Sequence, residues 1–123
     1  MKAIIKNAEK AEHFTSLDNC TLAEVFHPLK EKLSFDSFSI AHAVIDPYSK
    51  NKPHMLKTST EVFYILSGKG ILHVDDEEYP IGKGTAVEIP AGCVQYMENK
   101  SGRDLEFLCI VTKPWTAEDE VEA

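Results

Sequence analysis

The chain has 123 residues, of which 43% are hydrophobic, and its 13 basic and 20 acidic side chains give a net charge of -7. This length corresponds to one domain, which can bury a core without disulfide support. The acidic balance disfavours a nucleic-acid partner and an anionic membrane surface, because both attract basic protein surfaces.

The three cysteines, Cys20, Cys93 and Cys109, are widely spaced along the chain. They form neither a disulfide framework nor a Cys-x-x-Cys zinc motif. We interpret them as reduced thiols of a cytosolic protein. The first ten residues are too polar for a signal peptide, and no apolar run reaches membrane-spanning length. We therefore expect a cytoplasmic protein with no membrane partner.

The N-terminal part, residues 1–34, carries scattered apolar positions that we interpret as an arm with edge strands: Phe14, Leu17, Leu22 and Val25. A stronger strand pattern runs over residues 35–46, where it closes on the turn signal Asp46-Pro47. We assign the barrel core to residues 35–112.

Short β-rich runs separated by glycine, proline and polar turns follow one another from Val62 to Thr112. Gly68, Gly84 and Gly92 stand at turns and are expected to adopt positive φ. The dense turns and the absence of a long amphipathic pattern predict an all-β sandwich or barrel. The C-terminal tail comprises residues 113–123, and its acidic part, residues 116–123, is expected to be solvated or frayed. Trp115, which precedes that part, is expected to pack on the barrel; a contact between Trp115 and a ligand is the alternative.

Two segments carry residues at characteristic spacing. The first contains His54, Glu61 and Gly68, and the second contains Gly84, Pro90, Gly92 and Asn99. These positions resemble the two motifs of the cupin superfamily, over roughly residues 46–111. The resemblance implies a single cupin domain, residues 1–123, built as a β-barrel of the jelly-roll type (a double-stranded β-helix) with a metal or ligand pocket inside.

The sequence departs from the family pattern at three positions. Tyr48 replaces the opening glycine of the first motif, Leu56 replaces its second histidine, and Gln95 replaces the histidine of the second motif. The resemblance then implies a reduced ligand set of His54, Glu61 and Gln95. One imidazole and two oxygen ligands would suit Mn, Fe(II), Zn or Mg without strong choice among them, and loss of the metal is the equal alternative.

The resemblance also implies which other side chains line the pocket: His42, Leu56, Phe63, Ile65 and Met97. Glu61 would act as a metal ligand or as a general base. For His42, a core or surface role is the competing interpretation. His73 is expected on a solvated strand face.

Three functions remain open at this point. The first is a small cupin that binds a small polar molecule through a divalent metal, as an isomerase, lyase or oxygenase if it is an enzyme. The second is a non-enzymatic, metal-free binding or sensing module, and the third is a protein with a relic pocket. Fold alone does not choose among them. The resemblance also implies a homodimer whose N-terminal segments cover barrel edges.

Overall fold

A computed structural model describes residues 2–16 and 18–123, so the expectation for Leu17 lies outside the described residues. The described part is all-β, as the sequence predicts, with two short 3₁₀ turns, Ala8–Lys10 and Ala117–Asp119. None of its helical segments is long and apolar enough to cross a bilayer. The strands are β1 Phe14–Thr15, β2 Thr21–Phe26, β3 Ser39–Ile45, β4 Ser49–Lys50, β5 His54–Leu56, β6 Thr60–Ser67, β7 Lys69–Val74, β8 Glu77–Gly82, β9 Ala86–Ile89, β10 Gln95–Asn99, β11 Leu105–Thr112 and β12 Glu120–Glu122.

The strands form two antiparallel sheets. The first has the order β1-β2-β3-β11-β6-β9, and the second has the order β12-β5-β10-β7-β8 with β4 paired to β10. The core contains Phe63 and Phe107 from the first sheet and Leu72 and Met97 from the second. The two sheets therefore enclose one core between their inner faces, as in a β-sandwich or flattened barrel.

Strand β11 shows how the sequence selects the inner face. Leu105, Phe107, Cys109 and Val111 are buried, whereas the residues between them are half-buried. Successive side chains of a strand point to opposite faces, so an apolar residue at every second position gives one inward face. The same alternation buries Glu61, Phe63 and Ile65 on β6.

The N-terminal strands extend the edge of the chain's own first sheet. Thr15 is paired with Thr21 between β1 and β2, and Ala23 is paired with His42 between β2 and β3. Strand β3 begins at Ser39, later than the expected start at residue 35. Phe35 instead stacks on Phe38 with ring centroids 4.3 Å apart, so the aromatic pair packs together before the ladder begins.

The C-terminal tail is ordered, which corrects the expectation of a frayed end. Strand β12 pairs with β5 along three residues, from Glu120 opposite Leu56 to Glu122 opposite His54. Before it, Asp119 accepts hydrogen bonds from the backbone of Thr58 and Ser59. Burial opposes ionisation of Asp119, but the hydrogen bonds from Thr58 and Ser59 outweigh it and lower the pKa of that carboxyl. The acidic composition of the tail gave no indication that Asp119 would fix it to residues 58 and 59.

The three turn glycines have the predicted positive φ, between 85° and 87°. At Gly68 the requirement is also steric, because a Cβ there would lie 2.3 Å from the carbonyl oxygen of Asp104. Only glycine combines this φ with this close approach of the neighbouring backbone.

Candidate functional site

A cavity of about 550 Å³ opens between the sheets beside the N-terminal strands and β12. Its size falls in the range of small-molecule pockets. Its walls are mixed, with four aromatic rings and several carboxylates. The lining residues are Phe14, Thr15, Ser16, Asp18, Cys20, Leu22, Glu24, Lys30, Ser39, Ile40, Ala41, Asn51, His54, Glu61, Phe63, Phe107, Cys109, Val111, Trp115, Ala117, Glu120 and Glu122.

His54 is held in one orientation at the start of β5. Its side chain lies in the cavity wall although the residue is only 5% exposed. The imidazole Nδ1 donates to the carbonyl oxygen of Lys52 at 2.8 Å, and Asp18 Oδ2 lies 3.6 Å from the same nitrogen. Because Nδ1 carries the proton in this arrangement, Nε2 of the neutral ring is an acceptor. No hydrogen bond joins Nε2 to any described residue.

Glu61 faces the same cavity from β6 and is paired with Gln95 of β10. The amide Nε2 of Gln95 donates to Glu61 Oε1 at 2.7 Å. Burial raises the pKa of Glu61 to about 7, although the nearby His54 and the hydrogen bond from Gln95 both act to lower it. A carboxyl group with this pKa can accept or release a proton near neutral pH. His54 and Gln95 are themselves directly opposite in the β5–β10 ladder.

The expected ligands are not arranged as a complete metal site. Two of the three expected ligands, His54 and Glu61, lie in the cavity wall, but Gln95 is not among the described lining residues. Gln95 presents its amide N–H to Glu61, so it acts as a hydrogen-bond donor to a carboxylate. Within residues 2–16 and 18–123, no group of three or more His, Cys, Asp or Glu side chains is arranged to hold a metal.

His42 lies away from the cavity. Its Nε2 is 2.6 Å from Glu106 Oε1, and its Nδ1 is 2.9 Å from Nε2 of His13 on the N-terminal arm. On β3 the described cavity lining consists of Ser39, Ile40 and Ala41, and His42 is not part of it. Strand alternation places His42 on the opposite face from Ala41, where Glu106 and His13 are its partners.

The remaining expected lining residues divide between cavity and core. Phe63 lines the cavity, whereas Ile65 and Met97 belong to the packed core. Leu56 is buried on β5 but is not among the described lining residues. The expected solvated position of His73 also differs, because its ring stacks on Tyr96 at 4.2 Å and is part-buried.

Several lining residues were not identified from sequence. Asp18 and Asn51 are buried polar residues without a motif, joined by a hydrogen bond of 3.2 Å from Asn51 Nδ2 to Asp18 Oδ2. The inward position of Cys109 was predictable from sequence, because apolar residues alternate along β11 and place it on the inner face. Cys20 and Cys109 both line the cavity, and burial raises the pKa of each thiol.

Trp115 and Glu120 reach the cavity through the C-terminal segment. The indole Nε1 of Trp115 donates to Glu120 Oε1 at 3.1 Å, and the backbone N–H of Trp115 donates to Ser39 Oγ at 2.9 Å. These contacts agree with the packing expected for Trp115, which also lies in the cavity wall, and ligand contact stays a prediction. The acidic sequence of β12 does not predict a strand, so the position of Glu120 in the cavity wall could not be predicted.

Comparisons with known proteins agree with this architecture. The chain is 31% identical over 119 residues to the uncharacterized protein MJ1618 of Methanocaldococcus jannaschii, covering 97% of this chain and 94% of that protein. It is 30% identical over 89 residues to an oxalate-binding protein of Thermotoga maritima, covering 72% of this chain and 74% of that protein.

Among solved structures, the fold is similar to that of Pac13, a nucleoside dehydratase of Streptomyces, with a TM-score of 0.74 at 15% identity. That alignment covers 99% of this chain and 92% of the other, and at this identity it supports the fold alone. A sequence model of the cupin domain matches residues 41–111, more than half of the chain. The chain therefore belongs to the cupin domain family and has the all-β jelly-roll fold of that family.

Proposed function

We propose that this small cupin binds a small polar molecule in the cavity between its sheets, in direct contact with His54 and Glu61. The observation that carries the proposal is the position of these two buried side chains in the wall of a 550 Å³ cavity. Ligand pockets typically combine apolar walls with a few convergent polar groups of this kind. A relic pocket filled by side chains would leave no such space.

If the bound molecule is also transformed, proton transfer is the chemistry that these residues support best. Glu61, with a pKa raised by burial to about 7, would act as general base or acid, and His54 Nε2 would accept a hydrogen bond from the ligand. Isomerases and lyases use such proton transfers. We therefore favour these two classes, with metal-free binding or sensing without turnover as the alternative.

A divalent metal remains the second candidate, for one structural reason. Metal-binding histidines usually donate their second N–H to a carbonyl or carboxylate, and His54 Nδ1 makes this contact with Lys52. Mn, Fe, Zn or Mg would then be held by His54 and Glu61, with Gln95 joining only after its amide rotates away from Glu61. Bound there, such an ion would polarise a coordinated ligand.

Elemental analysis distinguishes these candidates. The protein is purified without a histidine tag, incubated with Mn, Fe(II) or Zn, and compared with His54→Ala. The control is His73→Ala, whose ring stacks on Tyr96 and is not among the described cavity-lining residues. We expect metal far below one ion per chain in all three proteins. Near one ion per chain, lost only in His54→Ala, would establish the metal-dependent function instead.

Oxalate, named in the relative from Thermotoga maritima, is a weak candidate ligand for this chain. Among the described lining residues there are five carboxylates and one lysine, which opposes a dianion unless a metal offsets the charge. We expect no oxalate-dependent rise in melting temperature in a chelator-containing buffer. A clear rise under those conditions would contradict this part of the proposal.

We also propose a reducing, cytoplasmic location. The cysteines Cys20, Cys93 and Cys109 are all free thiols. Free thiols persist where glutathione and thioredoxin keep them reduced.

A further inference from the structure

The charge of the cavity wall is one-sided. Its acidic members come from the N-terminal segment, β6 and β12: Asp18, Glu24, Glu61, Glu120 and Glu122. Its only described lysine is Lys30, and its only described histidine is His54. A ligand that enters this cavity therefore meets an excess of negative charge from opposite walls.

The basic group of the wall is already neutralised within the protein. Lys30 Nζ forms an ion pair with Glu24, and its side chain is 58% exposed to solvent. Such a pair at the rim leaves little net positive potential for an anion. Lys30 therefore does not offset the other carboxylates of the cavity.

Two side-chain donors of the cavity wall are already occupied. Asn51 donates to Asp18 and accepts from the backbone N–H of Met97, so both ends of its amide are occupied. The indole N–H of Trp115 is occupied by Glu120. By contrast, His54 Nε2 has no described partner although the residue is 95% buried, and it is an acceptor in the neutral ring.

The carboxylates of β12 offer further acceptor atoms. Glu120 and Glu122 are two residues apart on this strand, so both project to its cavity side, and Val121 projects to the other. Glu122 is exposed and has no hydrogen bond or ion pair to any described residue. A ligand with N–H groups would donate to these acceptor atoms, and hydrogen bonds to charged carboxylates are among the stronger ones.

The apolar part of the wall suits the body of such a ligand. Phe14 and Trp115 line the same cavity as the acidic residues, and the buried Phe63 and Phe107 also line it, with ring centroids 5.4 Å apart. Aromatic faces attract cations as well as apolar groups. The same wall thus combines two features that recognise an organic ammonium ion.

We propose that the ligand of this cavity is a small organic cation, an ammonium group on an apolar body. The ammonium would donate to His54 Nε2 and to the carboxylates of Glu120 and Glu122, and the apolar body would pack against Phe14 and Trp115. The inference rests on the proposed binding function and defines its ligand class.

The single tryptophan of the chain, Trp115, provides a direct reporter of occupancy. Its fluorescence is followed while the full-length protein, in chelator, is titrated with three matched probes: cyclohexylmethylamine, cyclohexylmethanol and cyclohexanecarboxylate. The probes share a body and differ in charge. We expect the amine to bind at least ~10-fold more tightly than the carboxylate, and the difference to shrink at high salt.

Variants then test the carboxylates. Glu120→Gln and Glu122→Gln should each weaken amine binding by roughly 3-fold or more and leave the alcohol unchanged, since they remove charge and keep shape. The matched control is Glu118→Gln, an exposed residue of the same segment that is not among the described lining residues. It should change neither affinity.

The outcomes separate the ligand class from the binding function. If cyclohexanecarboxylate binds as tightly as the amine, or if the two variants leave amine binding unchanged, the proposal of a cationic ligand is wrong. If only the alcohol binds, the proposal of a cationic ligand is also wrong, but the proposed binding function stands. If none of the probes binds by fluorescence or by calorimetry, both proposals fail.

Discussion

Glu61 is the residue whose acid–base chemistry is most directly changed by burial. Strand alternation on β6 turns it inward between apolar neighbours, and Gln95 supplies only one hydrogen bond to it. Desolvation disfavours the charged form of a buried carboxylate, which explains why the pKa rises to about 7 despite the nearby imidazole. The histidine of the family motif is replaced here by a neutral amide, which cannot supply a positive charge.

This pKa shift predicts a pH-dependent stability. A raised folded-state pKa stabilises the protein below the unfolded pKa of Glu61, and the contribution is lost as pH rises through about 7. In chelator, Glu61→Gln should therefore be more stable than the wild type by on the order of 1–3 kcal/mol at about pH 8, and not at about pH 4.

Urea unfolding at the two pH values measures this difference. The control is Glu88→Gln, an exposed glutamate on the neighbouring strand β9. Parallel pH profiles for Glu61→Gln and the wild type would show that burial of Glu61 does not affect its ionisation.

At the scale of elements, β12 connects the tail to the site. It adds a strand to β5, the strand that carries His54, and it brings Glu120 and Glu122 to the cavity wall. Three residues of ladder are too few to hold a strand by themselves. The hydrogen bonds of Asp119 at the preceding 3₁₀ turn supply the additional anchor.

We expect Asp119→Ala to loosen β12. The carboxylate accepts from Thr58 N, Thr58 Oγ1 and Ser59 N at 2.9, 2.7 and 3.1 Å, so its loss should cost about 1–3 kcal/mol of unfolding free energy. Hydrogen exchange should then be faster at residues 120–122 and at their partners on β5.

Glu118→Ala is the matched control, because Glu118 is exposed and lies in the same turn. Equal exchange rates in the two variants would show that the ladder alone retains the tail. Weaker binding of the amine probe in Asp119→Ala would further connect this anchor to the cavity.

At the scale of the whole molecule, the net charge and the cavity charge have the same sign. The chain carries a net charge of -7, and the cavity wall adds a local concentration of carboxylates. Such a potential raises the local concentration of cationic molecules and repels anionic ones. The overall composition thus agrees with the proposed ligand class. An anionic ligand would be repelled both by the net negative charge of the chain and by the carboxylates of the cavity wall.

The homodimer expected from the family resemblance remains a prediction, and we propose the outer face of the first sheet as its interface. Half-buried Val62, Leu108 and Ile110 surround Tyr64, which is 44% exposed, on adjacent positions of β6 and β11. Contiguous apolar surface of this kind is typical of association sites.

Light scattering over a concentration series tests the dimer. We expect the wild type to be dimeric and Tyr64→Lys to shift towards monomer, because the substitution places a charge in an apolar contact. Tyr79→Lys, at an equally exposed position on β8 of the other sheet, should have no effect. A wild-type monomer at all concentrations would contradict the prediction.

The sequence by itself determined the local features of this protein. Alternating apolar positions and turn glycines predicted the all-β fold, because period-two burial and positive φ depend on residues that are close in sequence. The spacing of His54, Glu61 and Gly68 predicted the family. Only the tertiary structure decided which groups meet. Gln95 donates to Glu61, His42 is paired with Glu106, and the acidic tail forms a strand beside His54. All three arrangements depend on strand register and on contacts between distant segments of the chain.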